Sequence, residues 1–279
     1  MFGAMGLVVV LVMTPANALA FLPARVAGTS SAQQDQPDAF SRGIDAYNQS
    51  AFEEAVRWFR LAADQGSARA QFNLAVMYRT GRGVPQDQVE AARFYRLAAN
   101  QGHMGAQNSL GIIYDNGEGV ARDSVEAASW YTLAADQGHA TAQNNLGVMH
   151  RDGRGVPQND GAAVRWFRLA ADQGFADAQN NLGFLHANGR GVPQNYVEAV
   201  RWYRLAADQG FADAQNNLGV MYGDGQGVPQ NYVEAYKWFN LAAAQSHGNG
   251  ATNRDLILDL MTPAQIAEGQ RLAADWRPR

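Results

Sequence analysis

Residues 172–183 read DQGFADAQNNLG, and residues 208–219 read DQGFADAQNNLG again, 36 positions further on. The same step runs through the chain. AQNNLG stands at 142, 178 and 214, AQNSLG at 106 and AQFNLA at 70. An aromatic column keeps the step (Trp58, Phe94, Trp130, Trp166, Trp202, Trp238), and so do Gly66, Gly102, Gly138, Gly174 and Gly210. A fixed period of this length marks a solenoid, in which each unit buries its apolar face only against its neighbours. Five full units follow from it: 68–103, 104–139, 140–175, 176–211 and 212–247. A shorter hairpin at 38–67 precedes them, and a loop and capping helix at 248–279 follow.

Each unit reads as two helices. In 176–211, Ala178, Leu182 and Leu185 share one face of a first helix. The stretch NGRGVPQN then breaks it with two glycines and a proline. Val197, Val200, Tyr203 and Ala207 recur at helical spacing in a second helix, and Gly210 ends it. Short connections make the helices antiparallel neighbours. Small residues such as Gly183, Ala199 and Ala206 allow close approach, while Trp202 and Tyr203 fill the gaps between units.

The unit AQNNLGVMYGDGQGVPQNYVEAYKWFNLAAAQ resembles the Sel-one-like repeat (SLR), a relative of the tetratricopeptide repeat, and five copies carry the resemblance over 68–247. The opening GIDAYNQSAFEEAVRWFRLAADQG is similar to a tetratricopeptide hairpin, and MTPAQIAEGQRLAADW to the closing helix of such arrays. There Thr262 suits an N-cap and Pro263 the first helical turn. At 246–255 the pattern departs: Ser246 replaces the usual glycine, and a Gly/Asn-rich loop leads to the cap. The resemblance implies an all-α, right-handed superhelical solenoid of antiparallel helix pairs. It also implies that the first helix of each unit lines a concave binding groove.

The chain has no cysteine, which excludes disulfides, thiolate nucleophiles and thiolate metal sites. Its net charge of −4 gives no general attraction to nucleic acid or an anionic membrane. Lys237 is the one lysine, which weighs against a P-loop or a serine–lysine dyad. No GxSxG, SxxK, HExxH or phosphate-binding glycine loop occurs. His150 and His186 sit one unit apart, in the column held elsewhere by Tyr78, Tyr114 and Tyr222. Units stacked at about 10 Å put them too far apart to share one ion, so they read as packing residues. His103 and His139 replace Phe175 and Phe211 and read as packing variants. Glu90, Glu198 and Glu234 each face a base three residues on (Arg93, Arg201, Lys237), pairs that support a helix by ~0.2–0.5 kcal/mol. No enzyme, cofactor or metal is expected.

What remains is surface. The groove candidates on the first helices are Arg69, Phe72, Val76 and Arg79; Asn108 and Asp115; Asn144 and Arg151; Asp177, Asn180 and Phe184; and Asp213 and Asn216. The asparagine column at 108, 144, 180 and 216 has two readings: it contacts an extended peptide backbone, or it bridges adjacent helices. Positions that vary between units suit specificity, because scaffold needs repeat and a partner's need not. They are Arg69, Phe72, Arg79, Asp115, Arg151, Asp177, Phe184 and Asp213. The expected partner is a protein or extended peptide. The alternatives are a secreted cell-wall or β-lactam hydrolase, as some relatives are described, and a host-directed effector. Those hydrolase relatives carry paired cysteines in each unit, which this chain lacks.

The N-terminus is of another kind. Gly6–Met13 is apolar and Ala18-Leu19-Ala20 has a small-x-small pattern, a signal peptide cleaved after Ala20. Export to the periplasm or outside follows, with no membrane contact after cleavage. The uncharged stretch 2–22 matches the ~20 residues of a bilayer span, so an uncleaved anchor is the alternative. Residues 21–37, rich in Ser, Gln, Ala and Pro, read as a flexible lead-in.

Overall fold

The computed structural model describes residues 38–278. The expected signal peptide and lead-in lie outside the described residues. Among those described there are fourteen α-helices and no strand. They run as pairs: α1 (Ala39–Asn48) and α2 (Phe52–Asp64), α3 (Ala68–Thr80) and α4 (Gln88–Asn100), α5 (Met104–Asn116) and α6 (Ser124–Asp136). Next come α7 (Ala140–Asp152) and α8 (Asp160–Asp172), α9 (Ala176–Asn188) and α10 (Tyr196–Asp208), α11 (Ala212–Asp224) and α12 (Tyr232–Ala244). The last are α13 (Gly248–Leu258) and α14 (Pro263–Asp275). From α1 to α13 each helix packs on the one before and the one after. The result is a solenoid of helix hairpins.

The repeated letters explain the repeated geometry. Asp87, Asp123, Asn159, Asn195 and Asn231 cap the second helix of their pairs, each accepting backbone N–H groups on its side-chain oxygen. Of the two loop glycines, the first ends the first helix: Gly189 has φ +64°, in the left-handed region. The second has another task. Gly191 has φ +70°, and a Cβ there would overlap the backbone of Asp160, at the start of α8 in the preceding pair. Gly227 meets Tyr196 of α10 in the same way. Each turn therefore rests on the second helix of the pair before it.

Glycine and aromatic residues interlock within most hairpins, Ala75 taking the glycine's place in 68–103. A Cβ on Gly183 would stand 2.7 Å from the Tyr203 ring, and Gly111, Gly147 and Gly219 face Tyr131, Phe167 and Phe239 alike. Trp202 is buried between units, 4% exposed. Val197 differs from expectation: it is 63% exposed, because the first turn of α10 points it away from the neighbouring pair.

A buried glutamine ladder joins the pairs. Gln71, Gln107, Gln143, Gln179 and Gln215 are all buried on the first helices. Nε2 of Gln179 donates to the Ala171 carbonyl (3.2 Å), and its Oε1 accepts from Nε2 of Gln209 at the end of α10 (2.8 Å). All five rungs repeat this arrangement. Burial demands that each amide find partners, and the ladder supplies them in register.

Two expectations are amended. His103 and His139 act as N-caps as well as packing residues: Nδ1 accepts from Ala106 N (3.2 Å) and Ala142 N (3.3 Å), bonds that Phe175 and Phe211 cannot offer. The Gly/Asn-rich stretch expected as a loop is α13, capped by His247. Its composition disfavours a helix, but Gly248 stands 36 residues after Ala212, so α13 fills the place of a further first helix. The last helix, α14, has Thr262 as N-cap with a reciprocal Gln265 bond and Pro263 at its start. It lies on α12 rather than continuing the stack, with Trp276 edge-on to Trp238 at 6.4 Å.

Candidate protein-binding groove

Position 76 and its equivalents give the outward face of the first helices an apolar line: Ile44 (the first loop being four residues shorter), Val76, Ile112, Val148, Phe184, Val220 and Leu256. Most are half-buried, but Phe184 is 39% and Leu256 65% exposed. Clefts open at both ends of the line. One of about 340 Å³ lies between α1 and α3, lined by Ile44, Phe72 and Val76. One of about 650 Å³ lies between α11 and α13, lined by Val220, Asp224, Leu256 and Leu260.

The candidate residues fall into three groups. Arg69, Arg79, Asp177, Phe184 and Asp213 are exposed. The Arg69 guanidinium lies 4.4 Å over the Phe40 ring, and the Asp213 carboxylate lies 2.9 Å from His247 Nε2. Although its side chain is exposed, partial desolvation first, and the Asp213 charge after it, raise the Asp177 carboxyl from its ordinary value. Phe72 and Val76 are half-buried; the Phe72 ring stacks on His103 at 4.6 Å and meets Tyr95 edge-on at 5.7 Å. Asp115 and Arg151 are tied into the array: Arg154 donates to Asp115 (2.7 Å), and Arg151 to Asp152 (2.8 Å) and Asn181 (3.0 Å).

The asparagine column bridges helices. Asn181, Asn217 and Asn253 donate to Oδ1 of Asn144 (3.1 Å), Asn180 (3.0 Å) and Asn216 (2.9 Å) in the pair before. Asn108, Asn144 and Asn216 are themselves buried. Of the two readings of the column, helix bridging is observed at three of its four positions. Asn108 Oδ1 is buried without a protein partner.

On the side of the second helices, Arg60, Arg96 and Arg204 donate to the hydroxyls of Tyr78, Tyr114 and Tyr222. His186 takes a tyrosine place in that column. It is buried, both ring nitrogens lack a protein partner, and burial and then Arg168 hold its imidazolium below the ordinary 6.5. The expected Glu–base pairs are present: Glu90–Arg93 at 2.9 Å, Glu198–Arg201 at 3.6 Å and Glu234–Lys237 at 3.3 Å. Among the described residues no group of three or more His, Cys, Asp or Glu could hold a metal ion. Among them too, no helix is long and apolar enough to cross a membrane.

These hairpins, stacked in register with one lined face, define an α-helical repeat solenoid. The Sel1 repeat model matches residues 40–67, 68–103, 105–139, 140–175, 176–211 and 212–247, and the chain belongs to that family. The opening hairpin is thus matched with the rest. Among solved structures the chain is similar to a Sel1 repeat protein from Oxalobacter formigenes: 29% identity over 85% of this chain and 97% of that one, TM-score 0.76. It is also similar to c5321, a protective antigen of uropathogenic Escherichia coli strains with an SLR fold. There identity is 29% over 88% of this chain and 62% of that one, TM-score 0.58. The comparison with curated proteins gives no match. Sel1 repeat solenoids are in general protein-interaction scaffolds and typically non-catalytic.

Proposed function

We propose that this chain is an exported, non-catalytic adaptor or regulator that binds a partner protein in the groove of its first helices. The observation that carries the reading is Phe184. It is a large apolar side chain, 39% exposed, in an apolar line that runs between two clefts. Aromatic residues and arginine are the types that dominate interface energy, and Phe184, Arg69 and Arg79 are exposed on this face. Export rests on the N-terminal sequence, with cleavage after Ala20 and a mature chain starting at Phe21.

A photo-crosslinking side chain placed at 184, with another at 165 on the outer face of α8, tests the groove in the native cell. Arg165 is exposed. Adducts from 184 and none from 165 are expected; adducts from 165 alone would place the interface on the other face. N-terminal sequencing of the exported protein checks the cleavage site, and retention of residues 1–20 in the membrane fraction would favour an anchor.

A further inference from the structure

The two ends of the groove carry opposite charge. At the α3 end stand Arg69 and Arg79, both exposed. The Asp38 carboxylate at the start of α1 accepts from Ser41 N at 2.7 Å and offsets part of the Arg69 charge, which leaves Arg79 as the cation without a facing acid there among the described residues. In the middle the charges cancel, Asp115 against Arg154 and Arg151 against Asp152. At the far end Asp177 and Asp213 project from the first turns of α9 and α11, and Asp224 lines the larger cleft. Among the described residues, the base paired with one of them is His247, at Asp213. The field is felt at both ends: Arg69 adds to the desolvation that lowers His103, and Asp213 adds to the desolvation that raises Asp177. Between the ends the line from Val76 to Leu256 is apolar.

From this juxtaposition we infer that the groove holds an extended segment of a partner protein with segregated charge: acidic where it meets α3, apolar along its middle, and basic where it meets α9 and α11. The proposal rests on the groove reading above and adds the partner's chemistry and its direction along the array. Four helix-to-helix steps of about 10 Å separate α3 from α11, roughly 40 Å in all. An extended chain covers that in about 12 residues at ~3.3 Å each. Complementary ends also favour one register, since sliding by one unit moves a charged end off its complement, and reversing the segment sets like charges against each other at a cost.

Selection of random peptides of about 16 residues, displayed on phage, against the immobilised protein tests the inference. Enriched peptides are expected to carry acids toward one end, Lys or Arg toward the other and apolar residues between. The best of them should lose at least about tenfold in affinity to an Arg69→Glu, Arg79→Glu variant. The same peptide with its acidic end changed to lysine should bind that variant, a rescue that a misfolded protein could not give. No enrichment at all overturns both this inference and the groove reading. Enriched peptides without segregated charge, bound within about twofold by wild type and variant alike, overturn the inference and leave the groove standing. A groove occupied by a second copy also overturns it, and shows as a dimer in light scattering that Phe184→Glu dissociates.

Discussion

Gln179 and Asp177 lie two residues apart on α9, yet they answer to different demands. Gln179 faces inward, and glutamine stands at its place in all five full units. Asp177 faces the groove, where the equivalents are Arg69, Gly105, Thr141 and Asp213. The inward residue bonds to the helices on either side, and those helices recur every 36 residues. The outward residue has no such neighbour. A contact repeated at every pair forces identity at one column; the outward column makes only individual contacts, such as Asp213 with His247, and is free to vary along the array.

The contrast predicts a ladder of effects on stability. Trp202→Ala, at the inward extreme, should cost ~3–5 kcal/mol in urea melts, because it empties a filled space between pairs. An unchanged midpoint would mean that the ring is not packed. Gln179→Ala should cost ~1–3 kcal/mol, since it strips the Ala171 carbonyl and the Gln209 amide of their partner. Equal stability would show that water takes over the rung.

Smaller effects come from the histidines. Burial holds His103, His139 and His186 below the ordinary 6.5, so the folded state binds fewer protons than the unfolded one. Their contribution is intact above that value and is lost as pH falls below it toward the folded values. Thermal melts should therefore show a midpoint that drops from pH 7.5 to 5.5. His186→Tyr should weaken that drop, because it removes one imidazole that takes up a proton on unfolding, while a tyrosine fits the column in which Tyr222 accepts from Arg204. An unaltered pH profile would put the proton uptake elsewhere. Least of all, Asp177→Asn should change stability by no more than about 0.5 kcal/mol; a large loss would mean that the groove face is structural too.

Much of this was legible in the sequence, and the gaps have physical causes. Identical letters at a fixed step carried the hairpins, the turn glycines and the buried Trp202. Glutamine in five of five units was visible as well, but an amide in a surface-like motif gives no sign of burial until its partners are placed. The asparagine column was ambiguous because one amide serves a peptide or a neighbouring helix equally well. His103 and His139 went unread as caps because histidine stands outside the usual N-cap set. α13 escaped because its glycines argue for a loop, and only docking on α11 and α12 overrides them. Within the groove the candidates were named residue by residue, but not which were free: Asp115 and Arg151 are held by partners that sequence spacing alone does not reveal.

The turn glycines give the array a sense of time. Gly191 and Gly227 settle on helices that precede them in the chain, never on ones that follow. As a polypeptide leaves the ribosome or emerges from an export channel with its N-terminal end first, each new hairpin finds its seat already built. No segment has to wait for distant sequence to arrive. The solenoid is thus suited to assembly in the order of its own synthesis, one pair after another, until α14 folds back over α12 and closes the series.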